Sequence, residues 1–167
     1  MLIETIKYVF KMKYLFFILP FIFISCTKKN IESITIHQGN STEINLFKGS
    51  YLVRFMDKED AIYKFPMRCK EIEKVKETYQ KQEIDNYGED VFIIGKEPLI
   101  MPNWEIKYNI VFSDGSQQVV AIRSNFNTNP LEKEHYTRLK VFLDCIDTII
   151  QSKKQITTAK KSNYLYL

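Results

Sequence analysis

The sequence predicts an α+β domain, an antiparallel sheet of about five to seven strands with two helices packed on one face. One observation is an alternation of apolar and polar residues from 104 to 112, which is typical of a strand with one buried face. Another is an apolar stripe at helical spacing between 136 and 150. A third is chain order: short strand-like runs, a helix, a hairpin and a closing helix. This order favours helices that cover one face of a sheet.

Four short runs of alternating or β-favouring residues precede the first predicted helix. Residues with strong turn preference separate them, including Gly39 and Gly49. The runs are 33–37, 42–47, 51–56 and 61–65. Short strands joined by short turns predict an antiparallel meander.

Pro66 marks the approach to a predicted amphipathic helix at 67–82, because proline fits a first helical turn where its missing N–H costs nothing. Apolar residues recur on one face, with lysine and glutamate between them. They are Cys69, Ile72, Val75 and Tyr79. The alternative for this segment is a long charged strand that continues the meander.

A β-hairpin is predicted at Ser113–Ser116, because the pair Asp114-Gly115 accepts the positive φ of a tight turn. The flanking strands would be 104–112 and 117–123. A further short apolar strand is predicted at 91–94, followed by a loop at 95–102 that either plugs the core or contacts a partner.

The second helix is predicted from Pro130 to Ser152. Asn129 can cap it, Pro130 fits its first position, and Glu132 fits the third position of a capping box. Its apolar stripe is the longest helical-period signal in the chain. The stripe comprises Tyr136, Leu139, Phe142, Leu143, Ile146, Ile149 and Ile150.

Composition bounds the class of protein. Residues are 45% hydrophobic and 14% aromatic, which is enough to bury a core and argues against disorder. Acidic and basic residues nearly balance, with a net charge of +4 over the whole chain. Nucleic-acid-binding domains usually carry a clustered basic face, so no nucleic-acid partner is expected.

The N-terminal segment has the order of a secretory signal. Lys11 and Lys13 precede an uncharged apolar run, Tyr14–Ile24, which ends in Ser25 and Cys26. The run is short for a membrane span, which needs about 20 apolar residues. The alternatives are an uncleaved anchor and a plain signal peptide. A start at Met12 would give a compact signal.

The ending Phe23-Ile24-Ser25-Cys26 resembles the lipobox of bacterial lipoproteins, in a relaxed form like that of Bacteroidota. The resemblance implies cleavage before Cys26, lipid attachment at Cys26, and residence on an envelope membrane. Because Thr27-Lys28-Lys29 follows instead of acidic residues, we expect an outer-membrane protein that faces the periplasm. The organisation is then a signal peptide at 1–25, a tether at 26–31, one domain at 32–152 and a loose basic tail at 153–167.

Two cysteines remain beyond Cys26. Cys69 falls on the apolar face of the first predicted helix, and Cys145 falls close to that of the second. An oxidising compartment permits a disulfide between them if the helices pack together. The alternative is two buried free thiols that behave as small apolar residues.

No residue pattern indicates catalysis or a metal. The histidines, His37 and His135, have no metal-like spacing, and no phosphate loop or nucleophile elbow is present. No cofactor is therefore expected. Charged or aromatic residues that invite a functional interpretation are explained as well by turns, strands or a core. They are Asp57, Glu59, Asp60, Glu89, Asp90, Tyr51, Tyr63, Tyr87, Tyr108 and Trp104.

Three functions compete on this basis. We expect a non-enzymatic envelope lipoprotein that binds a protein partner, with an immunity-type protein that blocks a periplasmic toxin as a specific version. The alternatives are a small-ligand-binding or transport-accessory lipoprotein and a hydrolase with an unrecognised site. A deep apolar pocket would favour the former alternative, and a buried carboxylate with a partner in a cleft would favour the hydrolase.

Overall fold

A computed structural model describes residues 29–94, 105–123 and 133–163. Several predicted features lie outside these residues: the signal and Cys26, the loop 95–102 with Trp104, the cap at 129–132, and Tyr164–Leu167. The described part contains one seven-stranded sheet, two substantial helices and two short ones, so the predicted α+β class is confirmed.

The sheet has the strand order β4-β3-β2-β1-β6-β7-β5. Its strands are β1 (Ile31–Gln38), β2 (Thr42–Asn45), β3 (Ser50–Val53), β4 (Ala61–Lys64), β5 (Asp90–Ile94), β6 (Glu105–Phe112) and β7 (Gln117–Arg123). The helices are α1 (Cys69–Lys81), a 3-10 helix (Ile84–Tyr87), α2 (Lys133–Gln151) and a short α3 (Lys154–Thr157).

All strand pairs are antiparallel except β5 and β7, which are parallel. The sheet is therefore mixed at one edge, where a purely antiparallel sheet was predicted. The reason is that β1 and β7 occupy both sides of β6. Strand β5 adds to the outer side of β7 and runs parallel to it.

The predicted meander, β1 to β4, is confirmed. The backbones at Gly49 and Phe65 approach each other closely. Gly49 has φ +62° and donates its N–H to the Leu46 carbonyl at 3.2 Å. Its own carbonyl accepts the Phe65 N–H at 2.9 Å. A Cβ at this position would lie 2.0 Å from the Phe65 carbonyl oxygen, so only glycine fits here.

The predicted hairpin between β6 and β7 is also confirmed. Only Gly115 takes a positive φ, +80°, while Asp114 stabilises the turn with its side chain. The carboxylate accepts hydrogen bonds from the Ser116 hydroxyl at 2.6 Å and the Ser116 N–H at 2.9 Å. These bonds lower the pKa of Asp114.

Both substantial helices pack on one face of the sheet, as predicted. Tyr79 of α1 lies between Phe112 of β6 and Phe142 of α2, with ring centroids 5.8 and 5.4 Å away. All three side chains are fully buried. The α1 segment is thus a helix and not a strand, and it begins at Cys69 because Arg68 is still extended. Glu71 caps it by accepting the Arg68 N–H at 2.8 Å.

The predicted loose tail is wrong for residues 153–163. Lys153 is buried, and its ammonium group lies 2.7 Å from both carboxylate oxygens of Glu71. Beyond α3, the Ser162 hydroxyl donates to the Arg54 carbonyl at 2.6 Å. Asn163 accepts the Met56 N–H at 3.1 Å. The segment therefore packs against α1 and the β3–β4 connection, and the domain extends past the predicted end at 152.

The domain also starts earlier than predicted. Ile31, assigned to the tether, is the first residue of β1 and is 1% exposed. Its side chain joins the core beside Phe112, its partner on β6.

Candidate binding face of the sheet

The face of the sheet opposite α1 and α2 is the candidate functional site, and we call it the open face. No described element packs over it within residues 29–94, 105–123 and 133–163. Its side chains alternate with those that enter the core, and the strand register places them in rows. The central row runs Ile62, Leu52, Glu43, His37 and Lys107 across five strands.

One end of this row is apolar. Ile62 on β4 is 66% exposed, and Leu52, its partner on β3, is half-buried. Met56, in the connection that follows β3, is 55% exposed. Exposed apolar side chains grouped at a sheet edge are a feature of surfaces that bind other proteins.

Charged groups adjoin this apolar end. The guanidinium group of Arg54 donates to the Glu43 carboxylate at 3.1 Å, and Nδ1 of His37 lies 3.8 Å from the same carboxylate. These side chains are about one-third exposed, so the Arg54–Glu43 ion pair contributes little to stability. They remain free to exchange their partners for groups on a bound molecule. We call Leu52, Ile62, Glu43 and Arg54 the mixed patch.

A shallow groove of about 570 Å³ lies at the other end of the open face. It is formed where β6, β7 and the start of β5 adjoin, and its lining is mostly polar. The lining residues are Glu89, Asp90, Lys107, Asn109, Gln117 and Val119. The groove offers carboxylates, amides and one ammonium group, which suits a small polar ligand more than an apolar one.

The core face contains a buried polar cluster that sequence reasoning missed. Gln118 of β7 is 4% exposed; its side-chain oxygen accepts the Tyr79 hydroxyl at 2.8 Å. Its amide nitrogen donates to the carbonyls of Ile84 at 3.0 Å and Gly88 at 2.6 Å. Burial, and then the charge of Asp85, raise the pKa of Tyr79. The only sequence signal was a glutamine at a core-facing position of a strand.

The predicted cysteine pair does not come together. Cys69 is exposed at the first residue of α1, whereas the half-buried Cys145 on α2 faces Thr78, whose hydroxyl lies 3.6 Å from the sulfur. Thr78 is nine residues beyond Cys69, about 13 Å along the helix. A disulfide needs Cα atoms within about 7 Å, so the bridge is excluded in this arrangement. Both thiols are free, and neither is fully buried.

The two histidines lie on separate parts of the domain. His37 belongs to the open face, whereas the His135 ring stacks 4.8 Å from that of Tyr87, beside the 3-10 helix. Two acidic residues of the β3–β4 connection accept hydrogen bonds. Asp60 accepts from the Phe55 N–H of the same connection at 3.4 Å, and Asp57 accepts from the Asn163 amide of the C-terminal segment at 2.7 Å.

The remaining tyrosines belong mainly to the core face. Tyr51 and Tyr63 pack together, 6.0 Å apart, and the Tyr63 hydroxyl accepts the Lys160 N–H of the C-terminal segment. Tyr108 is buried beneath α2, and burial, with Asp147 and Asp144 nearby, raises its pKa. An aromatic surface that could hold a ligand is therefore not formed by these three side chains.

Among the described residues, no cluster of three or more His, Cys, Asp or Glu side chains could hold a metal ion. None of the described helices has the length and apolar character needed to cross a membrane. Comparison with protein-family models, with curated proteins and with solved structures finds no match to this chain.

Proposed function

We propose that this chain is an envelope lipoprotein, anchored by lipid on Cys26, whose domain binds a protein partner without catalysing a reaction. The proposal combines the lipobox-like ending at Cys26 with the mixed patch on the open face. An immunity-type protein that blocks a toxin in the periplasm is a specific version of it. The outer membrane, facing the periplasm, is the proposed location.

The mixed patch is the observation that carries the binding proposal. Ile62 is the most exposed of the large apolar side chains in the described part, and it lies at the edge of a row that continues into Glu43. An apolar centre with a charged rim is the usual anatomy of a protein-binding surface. The short edge strand β4 places this surface where a partner can approach from the side as well as from above.

A photocrosslinking amino acid at position 62, in lipidated full-length protein made in its native host, tests the proposal. We expect one discrete protein adduct. A matched variant carries the same amino acid at Lys74, which is also exposed but lies on α1. An adduct at 74, or at neither position, would contradict the open face as the binding surface.

The ligand-binding alternative has one supporting observation, the polar groove of about 570 Å³ beside Lys107 and Asn109. The groove is shallow and polar, whereas the pocket that would favour this function is deep and apolar. Its test is a melting-temperature screen against small polar compounds. A stabilising compound whose effect is lost in Asn109→Leu would favour this function over protein binding.

The hydrolase alternative has less support. Glu71 is a carboxylate with a close charged partner, but that partner, Lys153, joins the C-terminal segment to α1. The hydrogen bond from Lys153, followed by that from the Arg68 N–H, lowers the pKa of Glu71. A carboxylate held ionised in this way cannot act as a general acid near neutral pH.

A further inference from the structure

We propose that one end of the sheet, the end at which the chain enters the domain, rests on an anionic phospholipid surface. The inference depends on the proposed lipid anchor at Cys26 and adds a defined orientation and a second membrane contact. We call this region the entry end. It comprises residues 29–30, 46–49, 64–70 and 113–116.

The first argument is the length of the tether. Only Thr27 and Lys28 separate Cys26 from Lys29, so the Cα atoms of residues 26 and 29 are at most about 11 Å apart. A lipid on Cys26 would place that residue at the headgroup boundary. The domain cannot then lie farther from the bilayer than this short segment permits.

The second argument is that residues 29 and 30 are fixed to the domain. The Lys29 ammonium group lies 5.1 Å from the centre of the Phe112 ring. The Asn30 carbonyl accepts the Ser113 N–H at 2.9 Å, and its side-chain oxygen accepts from Lys76 at 3.0 Å. The chain is therefore held to the domain from Lys29 onward.

The third argument is which surface the tether holds at the membrane. Strands β1, β3, β5 and β7 begin at this end, and β2, β4 and β6 finish there. The connection at 46–49 and the turn at 113–116 are consequently neighbours of the entering chain. The segment leading into α1 joins them, because Phe65 donates to Gly49 at 2.9 Å.

The fourth argument is charge. The entry end has five exposed basic residues and one acidic residue, Asp114. The basic residues are Lys29, Lys48, Lys64, Arg68 and Lys70. Acidic residues that border it are Glu32 on β1, Glu71 on α1, and Glu89 and Asp90 at the start of β5. The opposite end, around residues 54–60 and 160–163, mixes Asp57, Glu59 and Asp60 with its basic residues.

A bilayer with anionic headgroups is the occupant that fits these four observations together. Each basic side chain near such a surface strengthens the contact roughly five-fold, within a Debye length of about 8 Å. A tether of this length would hold the entry end near that surface. The result would be a domain held with the entry end down and the open face turned to the side, where a protein partner can reach it.

The test uses full-length lipidated protein with Cys145→Ser, labelled with a fluorophore on the exposed native Cys69 of the entry end. It is reconstituted into phosphatidylcholine vesicles with or without phosphatidylglycerol, each containing a lipid with a nitroxide headgroup. We expect quenching at least about two-fold stronger in the anionic vesicles, and a loss of this difference at high salt.

Two charge-matched variants complete the design. The triple variant Lys48→Glu, Lys64→Glu, Lys70→Glu should lower quenching to the level of neutral vesicles. The variant Lys58→Glu, Lys160→Glu, Lys161→Glu changes net charge equally but at the opposite end of the sheet, and should leave quenching unchanged. A label at Glu59→Cys, with Cys69 and Cys145 replaced by serine, should remain weakly quenched.

The outcomes separate the two proposals. Protein that floats with vesicles but shows equal Cys69 quenching in both lipid compositions, or in both triple variants, overturns the docking proposal alone. Protein that floats with neither vesicle type overturns the anchor at Cys26, and the tether argument is overturned with it.

Discussion

The two faces of the same strands differ in what they require of their residues. On the core face, Ile36, Tyr108 and Val120 form one row and are all at most 6% exposed. On the open face, the neighbouring row passes through His37 and Lys107, which remain partly in water. The core face is constrained by packing, so substitutions there change stability. The open face is less constrained from β4 to β6, so its side chains there are available for recognition. The same row passes on to Ala121 of β7, which is fully buried.

The strongest test of this comparison is Phe142→Ala. Phe142 is fully buried on α2 against Tyr79, so truncation should leave a cavity and destabilise the domain by about 3–5 kcal/mol. The neighbouring Val141 is 44% exposed, and Val141→Ala should change stability by less than about 0.5 kcal/mol. Urea midpoints of the two variants measure the contrast. Equal midpoints would mean that α2 does not pack as described.

Next in size is Tyr79→Phe, which keeps the ring and removes the hydroxyl. The side-chain oxygen of buried Gln118 would lose its donor, at a cost of about 1–3 kcal/mol. Tyr136→Phe provides the control, because that tyrosine is only partly buried against the core. If both changes cost the same in thermal unfolding, the Tyr79–Gln118 bond contributes nothing specific.

The C-terminal segment is only partly buried, and Lys153→Met measures its contribution to the free energy of unfolding. Glu71 would lose its ammonium partner, at a cost of about 1–2 kcal/mol at neutral pH because the carboxylate is still partly exposed. Since the pKa of Glu71 is lowered in the folded state, its contribution is fully present above the ordinary value of 4.5 and is lost as pH falls below it.

The difference in stability between wild type and Lys153→Met should therefore shrink as pH falls below 4.5. Denaturant titrations at neutral and acidic pH measure it. A difference that stays constant with pH would show that packing of the lysine stem, not the ion pair, holds the segment. Deletion of residues 153–167 should cost at least as much as Lys153→Met, whereas a loose tail, as the sequence predicted, would cost little.

Local periodicity predicted the elements well, because alternation in β6 and the stripe of α2 each record which side faces the core. It could not predict pairing between distant segments. Nothing in residues 90–94 encodes a parallel place beside β7, since that place depends on which edges other strands leave open. The open face shares this limit: the row through Glu43, His37 and Lys107 exists only once β1 pairs with β6.

Two individual residues show why pattern alone misleads near element ends. Cys69 falls on the apolar face of a helical projection, but it is the first residue of α1 and remains exposed. Lys153 begins a stretch whose composition predicts a solvated basic tail, but its stem is buried and its charge is paired with Glu71. Burial of a residue at the end of an element depends on which other segments pack against it, and tertiary structure determines those contacts.

The smallest expected effect on stability belongs to Ile62→Ser, and it sharpens the comparison most. The side chain is 66% exposed on an edge strand, so the free energy of unfolding measured in urea should change by less than about 0.5 kcal/mol. Binding should respond differently, because an apolar side chain that a partner removes fully from water contributes to affinity in proportion to the area it buries. If the open face binds a partner, capture of that partner by lipidated protein should fall at least about ten-fold, equal to 1.4 kcal/mol.

Glu77→Ser, at an exposed site on α1, is the control and should bind as wild type. A large loss of stability in Ile62→Ser would place that residue under a segment outside the described chain, and unchanged capture would show that the partner binds elsewhere.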